Sequence, residues 1–205
     1  METTWERAVD LQAHAPPFER NPSAWSQRVP IAVLAGVGTL ISGYLALFQW
    51  GLIGSVWDPF FGDGSMNVLT SKSARDMDRL LHVPDAAFGA WGYLSEAVFT
   101  LVGCTRRWQF RPWMVMLFGL DVIPLGLVSA GLVMTQGFVI GSWCFLCLVT
   151  AAISLTLVVL AYDEVWASFK YLRRVWRASH DKRLLWDVFC GRPSALADAV
   201  ALQRG

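Results

Sequence analysis

Two of the four cysteines in the chain, Cys144 and Cys147, lie three positions apart in a C-x-x-C pattern. At positions i and i+3 of a helix the two sulfurs share one face. The unpaired N–H groups and the positive dipole end of a first helical turn also favour a thiolate. A C-x-x-C pair at a helix N-terminus is therefore typical of redox-active thiols. The alternative is that both cysteines pack as small apolar side chains and carry no chemistry.

No metal site is predicted at this pair. A structural zinc ion needs four ligands, and neither His82 nor a second cysteine pair completes such a set. The remaining cysteines, Cys104 and Cys190, are predicted to lie on the opposite side of a membrane. A hydrocarbon core of about 30 Å would separate them from Cys144 and Cys147 and prevent direct exchange.

Two acidic residues, Glu96 and Asp121, interrupt otherwise apolar blocks. An ionisable residue inside a membrane span is a functional candidate because burying its charge is costly. Glu96 lies ten positions before Arg106 and Asp121 ten after Arg111, so each is predicted about 15 Å from the same membrane edge. At one level, the two carboxyls could share a proton and form a proton path. The simpler alternative is a pair of protonated, hydrogen-bonded acids without proton traffic.

The composition indicates a membrane protein. Of 205 residues, 55% are hydrophobic and 16% charged, whereas a soluble chain carries about 25% charged residues. Eleven Trp fit a chain at the edges of a bilayer. A net charge of +1, without a basic and aromatic patch, excludes a nucleic-acid binder.

The apolar blocks predict four membrane spans. Residues 29–57 carry no charge, residues 86–105 carry only Glu96, and residues 112–162 carry only Asp121. The last block would be about 76 Å long as one helix, so we expect it to fold back within 136–142. The predicted fold is an all-α, integral membrane four-helix bundle with a loop on the outer side between spans one and two. The spans are predicted at about 29–53, 85–105, 112–135 and 143–162.

Basic residues predict the orientation. Fourteen of the seventeen lie in the segments before span one, between spans two and three, and after span four, and three lie in the 54–84 loop. The positive-inside rule then puts both termini in the cytoplasm. The predicted organisation is a cytoplasmic segment (1–28), a membrane domain (29–162) and a cytoplasmic amphipathic tail (163–205). Within the tail, residues 171–189 are predicted to lie on the anionic lipid surface.

The 54–84 loop is predicted to be an ordered lid. Its segment from Trp57 to Ser65 is dense in turn-forming and aromatic residues. We expect Trp57, Phe60 and Phe61 to shape the rim of a pocket. The alternative role for these aromatic side chains is anchoring at the membrane interface.

Several motifs, in this order and spacing, make residues 28–160 resemble the vitamin K epoxide reductase family of four-helix membrane thiol oxidoreductases. The motifs are Ser42-Gly43-Tyr44-Leu45, Val68-Leu69-Thr70-Ser71, Val83-Pro84 with Gly89 and Tyr93, and Trp143-Cys144-Phe145-Leu146-Cys147.

This resemblance implies a bundle in the bacterial inner membrane that encloses a quinone of the ubiquinone or menaquinone type near the outer face. It implies that Cys147 faces the quinone, while Cys144 exchanges with a thioredoxin-like periplasmic thiol protein. Asp85 stands where the family carries a polar residue that hydrogen-bonds the quinone. Ser71, with Phe60 and Phe61 of the pocket rim, completes the expected quinone site.

The chain departs from the family pattern in two places. Proteins of this family usually carry a second cysteine pair in the outer loop. In this chain Ser65 stands at the position of the second cysteine of that pair, and no cysteine occurs from 21 to 103. A serine cannot form a mixed disulfide, so we expect the loop to leave Cys144 open for direct exchange with a partner. Ala151 replaces a Tyr that contacts the quinone in many members.

Two other functions remain open at this point. The first is a redox-silent relative that keeps the fold as a quinone-binding or structural membrane protein, which the missing loop cysteines suggest. The second is a small transporter that uses Glu96 and Asp121, although the sequence has no repeat or broken-helix pattern.

Overall fold

The computed structural model describes residues 21–192 and 194–202. Of these residues 78% are helical, and none of them lies in a strand. The predicted all-α fold class is therefore confirmed. In chain order the helices are α1 (Trp25–Gln49), α2 (Gly64–Leu69), α3 (Lys72–Leu81), α4 (Asp85–Leu101), α5 (Arg107–Phe110), α6 (Pro112–Thr135), α7 (Phe145–Ser179), α8 (Lys182–Phe189) and α9 (Ala195–Leu202).

Three of these helices are long and apolar enough to cross a membrane. They are α1, α6 with its extension to Ile140, and α7. Together with the composition, they establish a membrane protein. The predicted span 85–105 corresponds to α4, which ends at Leu101 after 17 residues. At ~1.5 Å per residue this helix is about 25 Å long, somewhat shorter than the hydrocarbon core. A fourth crossing thus stays a prediction.

The chain reversal near Gly141 differs from the predicted one. Residues Gln136–Ile140 do not form a turn but continue α6 as a π-helical segment. The Gly141 N–H donates to the Gln136 carbonyl at 2.9 Å, and Gly141 has a φ of +67°. This left-handed conformation suits glycine, and it ends the helix. The reversal therefore occupies residues 141–144, immediately before Cys144 enters α7.

Helix α7 continues to Ser179 and does not end at the predicted residue 162. The predicted tail helix 171–189 is accordingly divided between the end of α7 and the separate helix α8. His180 separates the two with a φ of 52°. Asp181 then caps α8, because its carboxylate accepts a hydrogen bond from the Arg183 N–H at 2.8 Å.

The described residues form two compact units. The cysteine unit comprises residues 29–101 and 120–161, and the terminal unit comprises residues 21–28, 102–119, 162–192 and 194–202. Both members of the C-x-x-C pair, the 54–84 loop and the two span acids lie in the cysteine unit.

A buried ion pair lies in the terminal unit. Arg107 donates from Nε and Nη2 to the two carboxylate oxygens of Glu164, each at 2.6 Å. The Ser23 hydroxyl donates to the same carboxylate at 2.5 Å. Arg28 is also buried and donates to the carbonyl oxygens of Val102 and Gly103. These hydrogen bonds are what a buried charge requires to be tolerated.

The tail helices pack onto the terminal unit. One apolar cluster of buried residues joins α5, α7, α8 and α9 through Trp108, Tyr171, Val175, Val188, Ala197 and Val200. The tail therefore has a packed inner face as well as the exposed face expected of an amphipathic helix.

Candidate functional site

A disulfide joins Cys144 and Cys147 across the start of α7. Their Cα atoms are 5.2 Å apart, and the Cys147 N–H donates to Cys144 Sγ at 3.2 Å. Because Phe145 is the first residue of α7, the pair straddles the first helical turn. In contrast, Cys104 and Cys190 are free and exposed. The structure thus brings together the two cysteines that the spacing singled out.

Side chains from distant segments satisfy the N–H groups at the start of α7. The buried Gln136 accepts from the Cys144 N–H at 3.0 Å through Oε1. Asp58 accepts from the Phe145 N–H at 3.4 Å through Oδ2. Helix N-termini need such partners when they are covered by protein. Neither Gln136 nor Asp58 was a candidate from the sequence.

Asp58 connects this helix start to the 54–84 loop. Its carboxylate also accepts from the Ser65 hydroxyl at 2.7 Å and from the N–H groups of Phe60 and Phe61 at 3.1 and 2.8 Å. Partial burial by itself would raise the pKa of Asp58. The hydrogen bonds from Ser65, Phe61, Phe60 and Phe145 outweigh burial and hold the pKa of Asp58 below its usual value. The anionic carboxylate therefore holds the loop against α7.

Cys144 is completely enclosed, which corrects the expectation that the loop leaves it open. None of its surface is exposed, and it packs with Leu45, Val56, Val68 and Leu69. The physical reason is that the loop backbone lies directly on the 141–144 turn. A Cβ added to the buried Gly64 would collide with the carbonyl oxygen of Trp143.

An apolar cavity of about 310 Å³ adjoins the other cysteine. A volume of this size falls in the range of small-molecule sites. We call it the cysteine cavity. Among the side chains that line it are Cys147, Ser71, Asp85, Tyr93, Gln136 and Ala151.

Of the predicted quinone-site residues, Asp85 and Ser71 line the cysteine cavity with Cys147. The Asp85 carboxylate accepts from Gln49 Nε2 at 2.5 Å. The Ser71 hydroxyl caps α3 by accepting from the Ala74 N–H at 3.2 Å. These contacts fix both side chains at the cavity wall.

Phe60 and Phe61 are not among the residues that line this cavity. Both rings are exposed, and Phe60 packs on Phe145 with ring centroids 5.0 Å apart. Trp57 meets the same Phe145 ring edge to face at 6.0 Å. Two of the three predicted aromatic side chains, Trp57 and Phe60, therefore pack on the first residue of α7.

A chain of hydroxyl groups extends from the cavity between α4, α6 and α7. The Tyr93 hydroxyl lies 2.7 Å from the Thr150 carbonyl oxygen and 2.6 Å from the Ser154 hydroxyl. The Ser129 hydroxyl donates to Ser154 at 3.0 Å. The sequence analysis did not single out Ser129 or Ser154. The signal that could have found them is that each is a polar residue inside an apolar span.

Glu96 and Asp121, the two acids within apolar spans, lie on the adjacent helices α4 and α6. This arrangement agrees with the equal depth predicted for them. Ser95, the neighbour of Glu96 on α4, donates from its hydroxyl to Asp121 on α6. Glu96 is fully buried, and neither of its carboxylate oxygens has a hydrogen-bond partner among the described residues. Neither acid lines the cysteine cavity. The structure thus brings the acids near each other but does not join them to that cavity.

Taken together, the fold and the site define an all-α membrane protein with a disulfide at the wall of an apolar cavity. The chain belongs to the vitamin K epoxide reductase family, whose family model matches residues 29–162. Members of this family are oxidoreductases, and the family is associated with membrane thiol–disulfide and quinone chemistry. Comparisons with curated proteins and with solved structures gave no match.

Proposed function

We propose that this protein is a thiol–disulfide oxidoreductase that passes electrons from a thioredoxin-like partner to a quinone through Cys144 and Cys147. The observation that carries the proposal is the position of the disulfide. One member, Cys147, lines an apolar cavity, and the other, Cys144, lies under the loop. A redox-silent relative is the second candidate, and the serine at position 65 is what favours it.

The residues around the cysteine cavity fit a quinone. A quinone is a flat apolar ring with two carbonyl acceptors, so it needs an apolar wall and a few hydrogen-bond donors. Ser71 uses its oxygen to accept from the Ala74 N–H, which leaves its own proton free to donate. Asp85 would donate only in its protonated form. Ala151, in place of a larger side chain, leaves this part of the wall without a further polar contact.

The cysteines supply both halves of the redox step. When the two thiols join in a disulfide, they release two electrons and two protons. A bound quinone would accept both the electrons and the protons. The disulfide is restored to thiols when a partner thiolate attacks Cys144 and releases Cys147 as a thiolate. A second partner thiol then displaces Cys144, which leaves the partner oxidised. The Cys147 N–H, which donates to Cys144 Sγ at 3.2 Å, and the positive end of α7 stabilise the Cys144 thiolate that departs in this second step.

Access to Cys144 requires movement of the loop. Because Cys144 is fully buried, a protein thiol can reach it only after the contacts of Asp58 and Gly64 with residues 143–145 separate. In this proposal the protein lies in the bacterial inner membrane with both termini cytoplasmic and the loop outside. The distribution of basic residues supports that orientation.

The test uses the full chain in lipid nanodiscs with a reduced thioredoxin-like protein and either ubiquinone or menaquinone. We expect quinone-dependent thiol oxidation in the wild type and its loss in Cys144→Ser and Cys147→Ser. In a separate reaction with the oxidised form of the partner, Cys147→Ser should also form a mixed disulfide, because its Cys144 thiolate attacks the partner disulfide and no Cys147 thiol remains to displace the partner. Cys190→Ser is the matched control, because Cys190 is free and exposed. Equal rates in all four proteins would favour the redox-silent relative.

A further inference from the structure

A second apolar cavity lies in the terminal unit, between the end of α7 and α8. Its volume is about 550 Å³. We call it the α7–α8 groove. Among the side chains that line it are Phe169, Arg173 and Trp176 of α7 and Lys182, Trp186 and Phe189 of α8.

Large aromatic side chains in this groove are incompletely covered. Trp186 is 63% exposed and Phe169 is 46% exposed. Trp186 stacks on Phe189 with ring centroids 5.6 Å apart, which leaves its outer face open. A contiguous exposed apolar surface of this kind marks a place where a partner or a lipid binds.

The charge around the groove is strongly positive. Residues 170–189 carry six basic and two acidic side chains. Both acids are already engaged, because Asp181 caps α8 and Asp187 pairs with Arg192 at 2.7 Å. Arg173 and Lys182 at the groove form no ion pair with a described residue. They are therefore available for an anion.

The groove is continuous with an aromatic face of α7. Tyr162, Trp166 and Phe169 are exposed on one face and stack in series, with centroids 6.0 and 5.6 Å apart. Lys170 lies over the Trp166 ring at 5.4 Å. Aromatic and basic side chains in this order are typical of the region where a membrane helix leaves the hydrocarbon. The face thus links the apolar part of α7 to the groove.

We propose that the α7–α8 groove binds an anionic glycerophospholipid. Its phosphate would pair with Arg173 and Lys182, and an acyl chain would cover Phe169 and Trp186. Apolar side chains with a rim of one charge match an amphiphile with an anionic head. A second copy of the chain fits less well, because a two-fold contact would bring two positive rims together. This proposal is independent of the redox function.

The test is native mass spectrometry of the full chain in detergent, titrated with phosphatidylglycerol or with phosphatidylcholine of the same acyl chains. We expect phosphatidylglycerol to bind more tightly. The double variant Arg173→Gln/Lys182→Gln should lose about tenfold or more of that affinity. The matched control is Arg177→Gln/Arg183→Gln, which removes two basic residues of the same helices that do not line the groove. We expect the control to bind like the wild type.

A third variant tests the apolar part of the groove. Trp186→Ala should weaken phosphatidylglycerol binding, and excess inorganic phosphate should not compete with the lipid. Equal binding of the two lipids, equal losses in the two double variants, or competition by phosphate alone would overturn the proposal. Loss of a concentration-dependent dimer in Trp186→Ala, with unchanged lipid binding, would identify a second copy as the occupant. Quinone-dependent turnover, measured in parallel, keeps this result separate from the redox proposal.

Discussion

Asp58 is the residue whose charge holds the 54–84 loop over the cysteine pair. Its carboxylate accepts hydrogen bonds from Ser65, Phe60, Phe61 and Phe145. Hydrogen bonds to an ionised acceptor are stronger than those between neutral groups. An amide in place of the carboxylate would retain the shape but lose this charge. Closure of the loop therefore depends on the ionised form of Asp58.

The dependence on charge predicts a pH effect on access to the disulfide. Because the pKa of Asp58 is lowered in the folded protein, its contribution is complete above the unfolded value of about 3.9. It is lost as the pH falls through the lower folded pKa. We expect a phosphine reductant, which acts at acid pH, to reduce the wild-type disulfide faster only in that acid range. Asp58→Asn should be reduced several times faster already at pH 7.

Asp63→Asn is the control for this experiment. Asp63 lies in the same loop, is exposed and makes no side-chain capping bond. Its substitution should leave the reduction rate at the wild-type value across the pH range. If Asp58→Asn and the wild type were reduced at one rate, closure of the loop would not rest on this carboxylate.

Glu96 and Asp121 are expected to be structural. Neither lines the cysteine cavity, and the carboxylate oxygens of Glu96 have no hydrogen-bond partner among the described residues. Glu96→Gln and Asp121→Asn should each keep quinone-dependent turnover within about twofold of wild type, since the amides preserve shape. A shared proton path predicts the opposite result. Both single variants would then slow turnover, and the double variant would cost little more than either one.

Local spacing was enough to find the cysteine pair but not the residues that support it. Cys144 and Cys147 are three positions apart, and one helical turn determines their relation. The partners of Asp58 lie seven positions away, at Ser65, and 87 positions away, at Phe145. Residues 58–63 are not helical, so helical spacing does not relate Asp58 to Ser65, and no local period relates Asp58 to Phe145. Asp58 could be recognised only as a turn former next to proline.

At the scale of elements, the contact between the 54–84 loop and the 141–144 turn decides access to Cys144. Gly64 and Ser65 are buried at the start of α2. At Gly64 the loop backbone approaches the Trp143 carbonyl so closely that no Cβ fits. Here the absence of a side chain is a requirement of packing.

Gly64→Ala is therefore expected to displace the loop. Overpacking of this kind costs about 1–3 kcal/mol, and the change should lower the melting temperature in detergent and speed reduction of the disulfide. Gly54→Ala is the matched control, because a Cβ at Gly54 meets nothing within 4 Å. A wild-type melting temperature and reduction rate in Gly64→Ala would mean that the loop adjusts without opening.

The sequence predicted where apolar helices occur better than where they end. Charged residues after 162 indicated the end of the last span, yet α7 continues to Ser179. The reason is that Glu164 is buried and paired with Arg107, a residue 57 positions away. In the same way, residues 136–140 extend α6 because a π-type hydrogen bond reaches Gly141. Hydropathy does not report either interaction.

At the scale of the whole molecule, the number of crossings determines on which side the chain ends. Among the described residues three helices are long enough to span, and α4 is about 25 Å long. Four crossings place both termini on one side, whereas three place them on opposite sides. A short helix can still cross when the bilayer thins locally or when its flanking residues reach outward. Both numbers leave fourteen of the seventeen basic residues on the side of the C-terminal tail. The three exceptions are those of the 54–84 loop with four crossings and those before residue 29 with three. The positive-inside rule therefore predicts the side of the tail, and the crossing of α4 stays a separate prediction.

We therefore expect that reporters fused after Arg111 and after Gly205 are active only in the cytoplasm. A reporter fused after Arg79, in the 54–84 loop, should be active only in the periplasm. Moving the arginines at 106–111 or those of the tail outward would oppose the positive-inside rule, and the periplasmic side of position 79 follows from the predicted crossing of α4. Fusions of a fluorescent protein and of alkaline phosphatase at each site provide the two complementary readings. If positions 79 and 111 report the same side, α4 does not cross. If position 205 reports the periplasm, the predicted orientation is wrong, and the cysteine pair then faces the cytoplasm.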